Sequence, residues 1–212
     1  MDEDDICTIT PLRDGVGVVW SDQVRDAVLM RVHRDGKPAG VWEKEEVADS
    51  GNQTADDHLN TVLTPDGTLW IATKNSLDKA GKAQFMLRIR TEDGKWTNVP
   101  YRVLENRMMR PSRPIVTATD DNAHVFVGHG DNDRSFPYPH RSNITFALVD
   151  TSLADLMLNS HIVIAPDSSI SNVVHNVTGP KFPYPAGAPW IVLAGDAEGR
   201  VYEADLRKLA EK

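Results

Sequence analysis

Aromatic residues recur along this chain at intervals that suit one repeated unit of β-structure. They lie 50, 56 and 64 residues apart, each in a short run of β-branched or small residues: Trp20, Trp70, Phe126 and Trp190. A second run follows each one, and three units continue into a third run at 41–47, 95–103 and 160–164. This period is typical of propeller blades. We predict an all-β fold, a β-propeller of about four blades of three- to four-stranded antiparallel sheets.

Turn dipeptides separate these runs. Asp35-Gly36, Asp66-Gly67 and Asp93-Gly94 lie where a tight hairpin needs a positive φ angle, and Asp121-Asn122 and Glu198-Gly199 occupy similar places. Only the last residues, 205–212, show a helical pattern. A β-sandwich of short strands is the alternative fold, but it does not require an aromatic residue at the same place in each unit.

The repeat predicts a single propeller domain over residues 1–212. Its blade-like units are expected at about 12–50, 56–106, 111–166 and 170–206, with the first recognisable strand starting by residue 16. Propellers typically have four to eight blades, so the chain is interpreted as a closed four-bladed ring, a piece of a larger ring, or a half-ring completed by another chain. An open ring favours a homo-oligomer or a partner chain.

Charge and composition limit the classes of binding partner that we expect. The net charge of −8 repels polyanions, so we expect no nucleic-acid partner, and no apolar run approaches the roughly 20 residues of a membrane span. A neutral or cationic ligand fits better. The single cysteine, Cys7, excludes an internal disulfide, and three glycosylation sequons favour a secreted protein: Asn52, Asn143 and Asn176.

Several segments resemble bacterial propellers of the sialidase-like, Asp-box (BNR-repeat) type. The similarity covers most of the chain and is carried by residues 16–23, 32–36, 55–60, 113–116 and 194–202. This resemblance implies a blade scaffold, complete or partial. It leaves the activity open, because such propellers include sialidases, lyases and lectin-like modules.

The Asp-box motif itself is degenerate in this chain. Ser-x-Asp-x-Gly-x-Thr-Trp is approximated only at residues 91–96 and 35–42. The catalytic set that the resemblance would imply, three arginines with a tyrosine–glutamate pair and an acidic aspartate, is not assembled from these positions. The sequence therefore favours a non-catalytic protein.

In a propeller, residues at the ends of the innermost strands converge on one mouth of the central channel. Polar residues precede the first aromatic run of each unit, where we expect them to bind a polyhydroxyl or carboxylate ligand: Arg13, Asp56, Asp57, His58, Asn60, Arg113, Asn172 and His175. Arg113 suits a ligand carboxylate, but it also suits pairing with an adjacent acid.

The densest cluster is Asp56-Asp57-His58. Its two carboxylates and imidazole can bind a divalent cation, act as an acid–base pair or bind sugar hydroxyls, and Asp57 and His58 are the catalytic candidates. The structural alternative is that the cluster holds neighbouring strands together.

No cofactor is predicted, and Ca²⁺ is the one ion considered. His129, Asp131 and Asp133 have oxygen-rich spacing similar to a calcium loop, but the later glutamate of an EF-hand is missing and a strand precedes them. We expect a solvated loop there.

Two segments repeat the sequence Phe-Pro-Tyr-Pro, at 136–139 and 182–185. Proline stiffens these connections, so Tyr138 and Tyr184 are candidates for stacking on a sugar or a partner protein. The alternative is that the rings cap the edges of the blades.

Three functions stay open from the sequence. The first is a non-catalytic propeller module that binds carbohydrate or a protein partner. The second is a glycan-active hydrolase or lyase of sialidase-like type. The third is a structural subunit that completes a larger propeller or assembly.

Overall fold

A computed structural model of the chain describes residues 5–76, 81–103, 109–133, 141–149, 160–165, 174–196 and 198–211. The described strands form four sheets, here called A to D in chain order. Sheet A contains β1 (Cys7–Leu12), β2 (Gly15–Asp22), β3 (Ala27–Arg34) and β4 (Glu46–Ser50). Sheet B contains β5 (Leu59–Leu63), β6 (Leu69–Lys74), β7 (Ala83–Arg90) and β8 (Trp96–Val103).

Sheet C contains β9 (Met109–Ala118), β10 (Val125–Asp133), β11 (Arg141–Leu148) and β12 (His161–Ile164). Sheet D contains β13 (Val174–Thr178), β14 (Ile191–Asp196) and β15 (Val201–Asp205). Within each sheet, every strand pairs antiparallel with the next one in the chain. The helix α1 (Arg207–Ala210) lies in the stretch where the sequence predicted helix. No helix of the described residues has the length and apolar character that a bilayer span requires.

The predicted turn geometry is confirmed. Positive φ angles between 60° and 86° occur at all five predicted turns: Gly36, Gly67, Gly94, Asn122 and Gly199. At these angles a side chain with a Cβ is disfavoured, which explains why four of the five residues are glycine and the other is asparagine.

The sheets pack face to face in chain order. The core between sheets A and B includes Val19, Met30 and Ile71, and the core between sheets B and C includes Phe85, Leu87 and Val127. The core between sheets C and D includes Phe126, Phe146 and Val192. Alternate residues of each strand therefore face opposite neighbours, as β-strand geometry requires.

The first strand of each sheet lies beside the first strand of the next, in the order β1, β5, β9 and β13. Four small antiparallel sheets whose first strands line one axis are the blades of a β-propeller, so the predicted fold class is confirmed. Among the described residues no contact of comparable extent joins β13 to β1. Over the residues that the structure describes, the four blades therefore form an arc that is open between sheets D and A.

The innermost strands are where sequence and structure differ. The predicted first runs belong to the second strands, and the real first strand of sheet A begins at Cys7 instead of residue 16. Strand β1 was missed because its sequence, Cys-Thr-Ile-Thr-Pro-Leu, has neither an aromatic residue nor a hydrophobic run. Trp20 is also not equivalent to the other aromatics, since it lies near the end of β2 while Trp70 and Phe126 lie near the starts of β6 and β10.

Hydrogen bonds tie neighbouring sheets where the innermost strands finish, an end we call the lower end. The Arg13 guanidinium donates to the carbonyl of Pro65, in the β5–β6 turn. The backbone N–H of Asp66 donates to Asn122 Oδ1, in the β9–β10 turn, over 3.0 Å. The Asp120 N–H donates to the Tyr184 carbonyl over 2.9 Å. The opposite end, where the innermost strands begin, is the upper end.

Candidate functional site

The upper end brings together residues from two adjacent innermost strands. Asn60 Oδ1 accepts a hydrogen bond from the Val116 N–H over 2.8 Å, which fixes the register of β5 against β9. Asp57 precedes Asn60 by three residues, and Arg113 precedes Val116 by three. Asp57, just before β5, and Arg113, within β9, therefore lie at a similar height toward the upper end of neighbouring blades.

Strand β13 continues this arrangement. A Cβ added at Gly179 would lie 2.9 Å from Thr117 Cγ2, so the end of β13 lies beside the end of β9. His175 is four residues before Gly179, as Arg113 is four residues before Thr117. The backbone thus places His175 at the same end, while its side chain is outside the described structure. Asn172 also lies outside the described residues.

Asp56 is the buried member of the cluster, with 9% of its surface exposed. Lys74 Nζ lies 3.2 Å from its Oδ1 and 3.0 Å from its Oδ2, and the Ser76 hydroxyl donates to Oδ2 over 3.1 Å. The Asp57 N–H donates to Oδ1 over 2.8 Å. These donors, all on the first two strands of sheet B or the residues beside them, give Asp56 a structural role.

The pKa values of the two carboxyl groups shift in opposite directions. Burial acts to raise the pKa of Asp56, but hydrogen bonds from His58 and Asp57 and the Lys74 charge hold that pKa well below its usual 3.8. For Asp57 the hydrogen bond to Asp56 raises the pKa, with burial adding to it. A proton added to the pair therefore resides on Asp57, which is the more exposed group.

His58 is oriented by the same pair. Its Nδ1 lies 3.3 Å from Asp56 Oδ1 and also contacts Asp57 Oδ1. An Nδ1–H that donates to a carboxylate leaves Nε2 of the neutral ring as an acceptor, and no hydrogen bond joins Nε2 to another described residue. His58 can therefore accept a hydrogen bond from a ligand hydroxyl.

The lowered pKa of Asp56 predicts a pH-dependent contribution to folding. A carboxyl whose folded pKa is depressed stabilises the fold above its unfolded pKa, near 3.8, and loses that contribution as the pH falls below it. We expect Asp56→Asn to lower the free energy of unfolding by about 2 kcal/mol at pH 7 and by much less at pH 3. Urea denaturation of both proteins at the two pH values measures this, and an equal loss at both would contradict it.

Arg113 has an unusual backbone. Its φ is 53°, in the left-handed region that arginine rarely adopts, and it precedes Pro114. The strand register shifts here, because Gly128 pairs with Ile115 while Gly130 pairs with Ser112. Arg113 thus lies in a β-bulge, which directs its exposed side chain away from the ladder.

The Arg113 guanidinium makes no hydrogen bond or ion pair with the described residues, although the sequence allowed pairing with an adjacent acid. Strained backbone of this kind persists where a side chain must be held in a particular place. An exposed arginine on an innermost strand with no partner among the described residues is therefore the strongest indication of a ligand site.

The cluster Asp56-Asp57-His58 also has the composition of a metal site, with one ligand atom from each residue within 4.8 Å of the others. The ammonium of Lys74 already contacts both oxygens of Asp56. A cation would have to compete with that ammonium, so the arrangement suits hydrogen bonding better than metal binding.

The residues His129, Asp131 and Asp133 do not form the expected solvated loop. They belong to strand β10, and the side chain of His129 is 4% exposed between sheets B and C. Asp131 Oδ1 accepts from Arg102 over 3.2 Å and its Oδ2 accepts from the Thr145 hydroxyl over 3.1 Å. The loop prediction was wrong because it rested on the spacing of oxygen-bearing residues, which here alternate along a strand. The side chain of Asp133 is outside the described structure.

Arg13 was also misplaced by the sequence argument. Because β1 precedes it, Arg13 lies at the lower end, where its Nη1 is 2.9 Å from Glu92 Oε1. It therefore does not share a mouth with Asp57 and Arg113. Asn60 is engaged in the bond to Val116 and serves the scaffold.

Of the two Phe-Pro-Tyr-Pro segments, the structure describes only the second. Tyr138 lies outside the described residues. Tyr184 is 5% exposed and its hydroxyl donates to the Ile191 carbonyl over 2.7 Å, so it caps the blade and does not stack on a ligand. Phe182 is instead the exposed ring of this segment, at 66%.

Sequence reasoning missed Lys74 and Ser76, which hold Asp56. Both lie at the end of β6 or just after it, about 20 residues from the acidic cluster, and a lone lysine at a strand end carries no motif. The hairpin pairing of β5 with β6 was the available signal, since it places Thr73 opposite Leu59 and hence Lys74 beside His58.

No protein-family model and no curated protein matches this sequence significantly. Among solved structures, a Dyadobacter fermentans protein of unknown function matches 92% of this chain with a TM-score of 0.56 and 14% identity. An α-L-arabinofuranosidase from Fusarium graminearum, solved with an iminosugar inhibitor, matches 95% of this chain with a TM-score of 0.50 and 12% identity. This chain covers 64% of each of those proteins, which is less than two thirds of their length. These similarities support the propeller fold.

Proposed function

We propose that this protein is a non-catalytic propeller module that binds carbohydrate at the upper end of β5 and β9. The observation that carries the proposal is the exposed guanidinium of Arg113, which has no partner among the described residues and is held on left-handed backbone in a β-bulge of the innermost strand β9. Asp57 and His58 lie at the same end of the neighbouring innermost strand.

The chemistry of these three groups suits a polyhydroxyl ligand. The guanidinium of Arg113 offers several donors in one plane, the Asp57 carboxyl is 57% exposed, and His58 Nε2 offers an acceptor. Sugar hydroxyls both donate and accept, so a mixed set of this kind can satisfy adjacent hydroxyls together. The Fusarium enzyme of similar fold acts on an arabinofuranoside, as its name states, which makes arabinose-containing oligosaccharides a reasonable first probe.

The geometry favours binding over hydrolysis. Glycosidases hold two carboxyl groups on opposite sides of the scissile bond, about 5–5.5 Å apart when retaining and about 6.5–9.5 Å when inverting. Asp56 and Asp57 are adjacent in sequence, bonded to each other and to His58, and Asp56 is further engaged by Lys74 and Ser76. They do not face each other across a space for a sugar.

Arg113→Gly tests the proposal with two readouts. Glycine adopts a φ of 53° without strain, so we expect the variant to be at least as stable as the wild type, while affinity for the oligosaccharide falls at least tenfold. Titration calorimetry with arabino-oligosaccharides and with acidic oligogalacturonides measures the affinity, and urea denaturation measures the stability.

Arg13→Ala is the matched control, because it removes an arginine at the lower end and should leave the affinity unchanged. Failure of the wild type to bind either oligosaccharide class would contradict the proposal. Equal binding by the wild type and Arg113→Gly would contradict the assigned site.

A glycan-active enzyme is the second candidate, and the raised pKa of Asp57 is the observation that favours it. A carboxyl that keeps its proton can act as a general acid. Asp57→Asn separates the two functions: an enzyme loses turnover of the oligosaccharide while it still binds it, whereas a binding module shows no turnover in either form. Reducing-end assays on wild type and variant distinguish these results.

A further inference from the structure

Sheets A and D each have one face that no other described sheet covers. The free face of sheet A lies opposite the face that packs on sheet B, and the free face of sheet D lies opposite the face that packs on sheet C. On sheet A this face includes Ile9, Val18, Trp20, Arg31 and Val47. On sheet D it includes Thr178, Leu193, Val201 and Glu203.

Both faces expose apolar side chains. Ile9 is 66% exposed and Val47 50% on sheet A, while Val201 is 71% exposed and Leu193 39% on sheet D. By contrast, both faces of sheet B and both faces of sheet C pack against neighbouring sheets. Exposed apolar residues gathered on one sheet face indicate a surface that packs against another protein surface.

The central rows of the two free faces match in order and differ in charge. On sheet A, Ile9, Val18 and Arg31 lie directly opposite one another on β1, β2 and β3. On sheet D, Thr178, Leu193 and Glu203 do so on β13, β14 and β15. From the axis outward, each row therefore runs from a small or apolar residue to an aliphatic one and then to a charge, positive on sheet A and negative on sheet D.

Arg31 occupies the same place in sheet A that Arg88 has in sheet B. Arg88 lies on the third strand, opposite Ile71, and reaches back to Asp49 on the outermost strand of the preceding sheet, with Nη2 3.1 Å from Oδ2. Arg31 lies on the third strand opposite Val18. Arg31 makes no hydrogen bond or ion pair among the described residues, although its charge adds to the hydrogen bond from Arg25 in lowering the pKa of the Glu45 carboxyl. No other described sheet covers this face of sheet A.

We infer that copies of this chain associate head to tail, with the free face of sheet A in one copy packed on the free face of sheet D in the next. Arg31 then pairs with the partner's Glu203, which lies on the outermost described strand of sheet D as Asp49 lies on that of sheet A. The contact repeats the packing that already joins neighbouring blades within the chain. It is a heterologous contact, because the two copies use different faces.

Charge reversal tests this pairing. Light scattering over a range of concentrations should give the wild type a mass above the 23.5 kDa of one chain. Arg31→Glu should weaken the association at least tenfold, since it places two negative charges together in the contact. The double variant Arg31→Glu with Glu203→Arg should restore it. Lys82→Glu, an equal charge change at an exposed position just before β7, should have no effect.

Other results would overturn the inference. A wild type that stays at the mass of one chain at every concentration excludes a second copy as the occupant of these faces. An assembly that Arg31→Glu does not weaken, or that the second reversal does not restore, excludes the pairing of face A with face D. Both positions are exposed, so the variants should fold, and far-ultraviolet circular dichroism checks this.

Discussion

Asp49→Ala is expected to destabilise the protein by about 3–5 kcal/mol, because it removes the counter-charge of a buried arginine. Arg88 is fully buried between sheets A and B, where it donates to the Thr73 and Thr54 hydroxyls and lies 3.1 Å from Asp49 Oδ2. Burial lowers the pKa of Arg88 to about 10, so the guanidinium keeps its charge at neutral pH. Urea denaturation at pH 7 measures the loss.

The double variant Asp49→Ala with Arg88→Met is the control for this prediction. Replacing both members of this ion pair with apolar groups leaves no uncompensated charge beside the buried position, so we expect the double variant to recover much of the stability lost in Asp49→Ala. If the double variant is as unstable as the sum of the two single variants, the ion pair is not the cause. If Asp49→Ala fails to fold, Asp49→Asn is used for the same stability measurement.

Phe126→Ala is the second large effect we expect, again about 3–5 kcal/mol. Phe126 is fully buried in the core between sheets C and D, with its ring centroid 5.7 Å from that of Trp190 and 6.1 Å from that of His124. Truncation leaves a cavity between two sheets that are each held by several strands, so the surroundings cannot collapse into it.

Trp20→Ala is the matched control for Phe126→Ala. Trp20 is the larger residue, but it is half-buried on the free face of sheet A, so its removal creates no enclosed cavity. We expect a clearly smaller loss of stability in urea denaturation of dilute protein. Equal losses of stability for the two variants would contradict this expectation. They would mean that the place of an aromatic residue in the sequence repeat, which is the same for both, matters more than its burial in the structure.

The sequence was sufficient to predict the number of sheets and their turns, for local reasons. A positive φ at Gly67 or Gly94 depends on residues within one hairpin, and those residues carry the signal themselves. The innermost strand β1 was harder to predict, because its six residues include two threonines and a proline and only Thr10 is buried. Propensity is a weak guide for such strands.

The candidate site was predicted in part, and the errors follow from that missed strand. Placing Arg13 before the first strand put it at the same end as Asp57, whereas β1 carries the chain across the sheet before Arg13 is reached. The partners of Asp56 depend on hairpin pairing, and the bulge at Arg113 depends on a register shift against β10. Neither is encoded by residues adjacent in sequence.

The turns at the lower end also limit how such a scaffold can change. Thr64, Thr91 and Thr119 each contact the aspartate two residues later, which keeps the three turns similar in shape. Since the β5–β6 turn touches both the β1–β2 turn and the β9–β10 turn, an insertion there would push two blades apart. We therefore expect relatives of this protein to keep one side of the disc nearly constant and to diversify their recognition on the other.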